Sequence, residues 1–159
     1  MGGDTKMAAL EKVLRKVLAD APTLALEGTE VLRKILMEVE FKLAATFCEE
    51  GTQAFLCTRT VELAGATKTV GFLVFRGTEK DIRDIRTDVS ASLNKVQIGG
   101  ETVQMHSGYL RNFRLVEKKI GEALAKTRHD QLFITGHSLG GALAMVATAL
   151  LGDRVTGAC

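Results

Sequence analysis

Apolar residues recur at helical spacing at the start of the chain: Met7, Leu10, Leu14, Val17 and Leu18, with charged residues between them. Pro22 and Thr23 interrupt the pattern. A second stripe, Leu32, Ile35, Leu36, Val39, Leu43 and Phe47, predicts another helix. The first fifty residues therefore read as two amphipathic helices packing on the rest of the domain. Their polar faces mix Lys, Arg and Glu, which disfavours a membrane-surface role for them.

After Gly51 the period changes. "TQAFLCTRT" reads as a strand, and "TVGFLVF", Thr69 to Phe75, is apolar enough to be covered on both faces. "KVQIGGETVQM" alternates about Gly99-Gly100 and predicts a hairpin. A helix begins at Ser107, with Tyr109, Phe113, Val116, Ile120 and Leu124 on one face. "QLFIT" is a short buried strand. Leu139 to Leu151 is apolar almost all round, so it predicts a buried helix that Gly152 can end. "RVTGAC" opens a further strand. Strands alternating with helices give an α/β fold with a largely parallel sheet flanked by helices. The division expected is a helical segment over 1–50 and an α/β domain over 51–159.

A chain of 159 residues has room for one domain, which can bury roughly 70% of its unfolded surface. A net charge of +2 gives no reason to expect nucleic acid. No apolar run nears the roughly 18 residues of a membrane span, and the first residues carry no signal peptide. Cys48, Cys57 and Cys159 form no CxxC pair and read as reduced thiols in a cytoplasmic setting. Three scattered histidines offer no metal-ligand spacing, and no cofactor is expected.

The chemistry lies in "LFITGHSLGGALAM". Gly136-His137-Ser138-Leu139-Gly140 has the form GxSxG, between a buried strand and a buried helix. That is the setting of a nucleophile elbow, a strained turn that lifts a serine hydroxyl clear of the backbone. The bland alternative is a glycine-rich helix cap with Ser138 as its N-cap. Arg76-Gly77-Thr78 ends the most apolar strand, at the sheet edge where α/β sites form, so Thr78 could donate to an oxyanion.

"VFRGTEKDIRDIRTDV", "VQMHSGYL" and "LFITGHSLGGALAMVAT" together resemble the class 3, or fungal-type, lipases of the α/β-hydrolase superfamily, over about Gly51 to Cys159. The resemblance implies hydrolysis of a carboxylic ester, an acylglycerol or related lipid. Ser138 would be the nucleophile, with Thr78 and the Leu139 backbone N–H as the oxyanion hole. It makes Asp88 structural and gives His106 a supporting role beside the active-site loops. Ile85 stands where the family often has Trp, and Tyr109 where Phe is commoner. By position, His137 reads as packed and His129 as exposed.

Such a triad runs Ser, Asp or Glu, then His along the chain. After Ser138 the sequence holds Asp153 and no histidine. Two explanations compete: part of a longer lipase, or a lipase-like binding or regulatory module without catalysis. His106 acting as base is a third. By itself the chain is expected to be a negligible esterase that contacts lipid interfaces and either self-associates or binds a complementing C-terminal segment. Ile82, Ile85 and Val89 suggest that Asp81 to Val89 forms a short lid helix.

Overall fold

The computed structural model describes residues 26–77 and 92–158. Helix α1 (Leu26–Glu38) leads into strands β1 (Lys42–Glu49), β2 (Thr52–Leu63) and β3 (Ala66–Arg76). Next is a hairpin, β4 (Leu93–Ile98) and β5 (Glu101–His106). Then come α2 (Ser107–Lys126), β6 (Gln131–Gly136), α3 (Leu139–Leu151), a short 3-10 turn and β7 (Gly157–Ala158). The five-stranded sheet has the order β1-β2-β3-β6-β7. Helices flank it as expected. The sheet is mixed rather than largely parallel: β1–β2 and β2–β3 are antiparallel, whereas β3–β6 and β6–β7 are parallel. The tight turns after β1 and β2, through Glu50-Gly51 and Ala64-Gly65, allow only antiparallel returns.

Alternation along the strands sends side chains into two cores. On one face Leu56, Leu73, Phe75, Leu132 and Ile134 meet α2 through Phe113, Val116 and Ile120, and α3 through Leu143 and Ala147. On the other, Phe55, Cys57, Phe72 and Val74 meet α1 through Leu32 and Leu36. Phe72 stacks on Phe133, with ring centroids 5.7 Å apart, and meets Phe41 edge-on at the same separation. Phe41 and Phe72, both fully buried, each contribute about 1.5–3 kcal/mol. Burial also pushes the Cys57 thiol up, so it packs as a small apolar group.

The second helix does not run on to Phe47. Leu43 and Phe47 lie in β1, because a spacing of four fits a helix face and twice a strand's period equally well. A bulge between Leu43 and Ala45 then sends the two to opposite faces, Leu43 towards α1 and Phe47 towards α2. The expected hairpin turns at Gly99-Gly100, both at positive φ. The stripe Met7 to Leu18, the Asp81 to Val89 segment and Cys159 lie outside the described residues.

Thr135, next to Val74 on β6, is buried, and its hydroxyl has no hydrogen-bond partner among the described residues. An unmatched buried hydroxyl costs about 1–3 kcal/mol. Thr135→Val keeps the shape and removes the polar atom. It is expected to raise the urea midpoint by the equivalent of about 1 kcal/mol at unchanged slope. A lower midpoint would show that the hydroxyl does have a partner.

Candidate active site

Strand β6 ends at Gly136 and helix α3 starts at Leu139, leaving His137 and Ser138 to make the turn. Ser138 has φ 58° and ψ −124°. That backbone is costly for a residue with a Cβ, and such strain persists only where packing enforces it. The turn closes through Gly140 N–H to the His137 carbonyl at 3.0 Å and Gly141 N–H to the Ser138 carbonyl at 2.9 Å. The Ser138 side chain is exposed and makes no capping bond to α3. The N-cap alternative fails on that geometry, since a cap must accept a helix N–H.

Three glycines make the turn fit. A Cβ on Gly136 would lie 2.2 Å from the Gly140 carbonyl oxygen, and one on Gly140 would lie 2.3 Å from that of Phe75. Helix α3 therefore starts directly on the backbone at the end of β3. Gly77 closes the third side: its Cβ would lie 2.4 Å from the His137 carbonyl oxygen, 3.2 Å from Ser138 Cβ and 3.3 Å from the Leu139 nitrogen. The sequence pattern pointed to Gly136 and Gly140. It missed Gly77's contact with the elbow; a glycine ending so apolar a strand is the signal.

The Leu139 N–H is one of the donors a helix start leaves without an intrahelical partner, and it sits at the positive end of the α3 dipole. Leu139's side chain is buried and anchors that turn. Thr78 lies outside the described residues, as do Ile85 and Asp88. Gly77, which precedes Thr78, lies against the elbow.

The histidines stand apart from this arrangement in different ways. His106 ends β5 and caps α2, its Nδ1 accepting the Gly108 N–H at 3.2 Å. Its ring lies 4.7 Å from that of Tyr109, and Ser107 is tied to Ser92 by hydroxyl and backbone bonds. His106 thus joins the hairpin to α2. His129 is half-buried rather than exposed, because its Nδ1 is 2.7 Å from the Thr127 carbonyl oxygen and its Cβ packs on Gly71. It lies before β6, whose six residues put it about 20 Å from the elbow. His137 is exposed rather than packed: it comes directly after the end of β6, and none of the described residues covers it. Among the described residues no group of three or more His, Cys, Asp or Glu side chains could hold a metal, and no helix is long and apolar enough to cross a membrane.

This strand–elbow–helix unit on a mixed sheet between helices is the α/β-hydrolase arrangement. The chain belongs to the class 3 lipase family, whose model matches residues 72–156, just over half of its length. Solved structures share the fold. The lipase from Rhizopus microsporus var. chinensis superposes with a TM-score of 0.63 at 23% identity, over 92% of this chain and 52% of that one. Lipase II from Rhizopus niveus gives 0.59 at 20%, over 94% and 58%. The Rhizomucor miehei lipase in a propeptide complex gives 0.61 at 18%, over 92% and 47%. The chain thus spans about half the length of these structures. No curated protein matches it by sequence.

The glycine contacts make a graded prediction. Gly140→Ala drives a Cβ into fixed backbone and should cost about 3 kcal/mol or more. Gly141, one residue on, has its nearest neighbour at an ordinary 3.5 Å. Gly141→Ala should be neutral or stabilise α3 by up to about 1 kcal/mol. Thermal melts of the two variants check this; equal losses would show that α3 does not rest on the end of β3.

Proposed function

We propose that Ser138 is the nucleophile of a lipid-ester hydrolase, with the Leu139 N–H and Thr78 as its oxyanion hole. The observation that carries this reading is an exposed serine at positive φ, wedged by Gly77 and Gly140, with no bond to its own helix. A backbone held this far from its preferred region, around a hydroxyl that caps nothing, has a use in presenting that hydroxyl to a carbonyl carbon. The hydroxyl oxygen attacks and the carbonyl π electrons move onto oxygen beside Leu139 N–H. Collapse expels the alcohol and leaves an acyl-serine, which water then opens to release the acid. The likeness to the three Rhizopus and Rhizomucor lipases supports a lipid ester as substrate, an acylglycerol being the simplest.

Deprotonating the serine needs a base, and among the described residues none of His106, His129 and His137 makes a hydrogen bond to the Ser138 hydroxyl. His106 has Nδ1 engaged in the α2 cap, His129 lies at the far end of β6, and His137 is open to solvent. The reading therefore assigns the acid and the base to polypeptide beyond these 159 residues. A second reading is a lipase-like module that binds lipid or a partner without catalysis.

A fluorophosphonate probe separates the readings. Loss of the base in a complete triad costs on the order of a million-fold in turnover, while the oxyanion hole and binding retain about a thousand- to ten-thousand-fold over water. The 159-residue chain should be labelled slowly and faster with added imidazole, which stands in for the base, and Ser138→Ala should abolish the signal. No labelling of Ser138 under either condition would favour the binding module. Rapid stoichiometric labelling lost in both Ser138→Ala and His106→Ala would make His106 the base.

A further inference from the structure

We propose that His106 is an acid-sensitive latch at the neck of the β4–β5 hairpin. On taking a second proton it releases the start of α2 and loosens the join between hairpin and helix. Leu93, the first residue of β4, is paired with His106, the last residue of β5. Beside them the Ser107 N–H donates to the Ser92 carbonyl at 3.0 Å, and the two serine hydroxyls lie 2.6 Å apart. A short set of contacts thus closes the neck, with His106 in the middle of it. His106 is also the N-cap of α2, with extended backbone at φ −61° and ψ 124°. The latch needs neither substrate nor catalytic base, so it stands apart from the hydrolase reading.

A backbone N–H can only donate. The Gly108 N–H, 3.2 Å from Nδ1, therefore fixes that nitrogen as an acceptor, and the proton of the neutral ring is on Nε2. An imidazolium carries a proton on both nitrogens and accepts nothing. Protonation thus sets two N–H groups against each other and leaves Gly108 as an unmet donor of the helix start. The ring is closely held where this happens. A Cβ on Gly108 would lie 3.3 Å from its Cε1 and Nδ1, and the Tyr109 ring is 4.7 Å away. Nothing around the ring offsets a new positive charge. The first turn of α2 has no acidic residue, and the positive end of the helix dipole opposes a cation there. The first charged residue of β4 is Lys95, on the strand face of Leu93, and that of α2 is Arg111. Glu101 on β5 lies at the other end of the hairpin, paired with Ile98. Tyr109 brings a phenol, neutral at the pH values concerned. No carboxylate pairs with His106 among the described residues. The sign follows from the neutral acceptor: the cap is whole at high pH and is lost as pH falls through the imidazole range, about pH 5 to 8.

The test is amide hydrogen exchange of the 159-residue chain at about pH 8 and about pH 5, each rate taken relative to the intrinsic rate at that pH. Protection of the Ser107 and Gly108 amides should fall roughly fivefold at the lower pH, the effect of losing one cap. The amides from Val116 to Ile120 should keep theirs. His106→Asn retains a side-chain oxygen to accept the Gly108 N–H and has no ring to titrate, so its protection should be high at both pH values. His106→Leu has no acceptor and should be poorly protected at both. Nitrogen NMR of the wild-type ring at high pH should show the proton on Nε2. Equal protection of the wild type at the two pH values would overturn the proposal. So would an unchanged pH dependence in His106→Asn, a proton on Nδ1 of the neutral ring, or a loss that spreads along α2 to Ile120.

Discussion

Everything at the elbow depends on one backbone contact: the first turn of α3 lies on the carbonyl end of β3, with Gly140 against Phe75 and no side chain between them. That contact fixes how steeply the chain must leave β6. The chain has only His137 and Ser138 in which to turn, so Ser138 takes a positive φ and its hydroxyl is lifted off the helix. Gly136 and Gly77 are consequences of the same crowding. The parallel pairing of β3 with β6, through Phe75 and Gly136, brings these glycines to one edge of the sheet. The strain is held by burial beneath it: Leu143 and Ala147 seat α3 on Leu73, Phe75 and Ile134, and Leu139 is itself buried.

Much of this was legible in the sequence because local and long-range demands agree. Thr69 to Phe75 could only be a strand covered on both faces, and GHSLGG between an apolar strand and an apolar helix leaves few folds open. Reading failed where one pattern satisfied two periods. Leu43 and Phe47 suit a helix by spacing, and the bulge that sends them to opposite cores leaves no mark in composition. The histidines were misread for a related reason. By its position before the serine His137 reads as packed, yet it is exposed, and His129 is half-buried against Gly71, far from it in sequence. Gly77's role needed the third dimension, since its partners His137, Ser138 and Leu139 are distant along the chain.

Presenting Ser138 is a matter of short-range steric exclusion, decided within a few tenths of an ångström and indifferent to salt. Helix α3 serves two places at once: its inner side packs on the sheet and its first turn builds the elbow. His106 likewise serves two elements at once, binding the hairpin to α2.

The central claim is that packing, rather than capping, dictates the backbone at Ser138. The most direct measurement is the Ser138 torsion in a high-resolution crystal structure of the 159-residue chain. The account predicts φ close to 58°, with the hydroxyl unbonded to α3 and Gly77 against the turn. A negative φ, with the Ser138 hydroxyl accepting the Gly140 or Gly141 N–H as an ordinary helix cap, would contradict it.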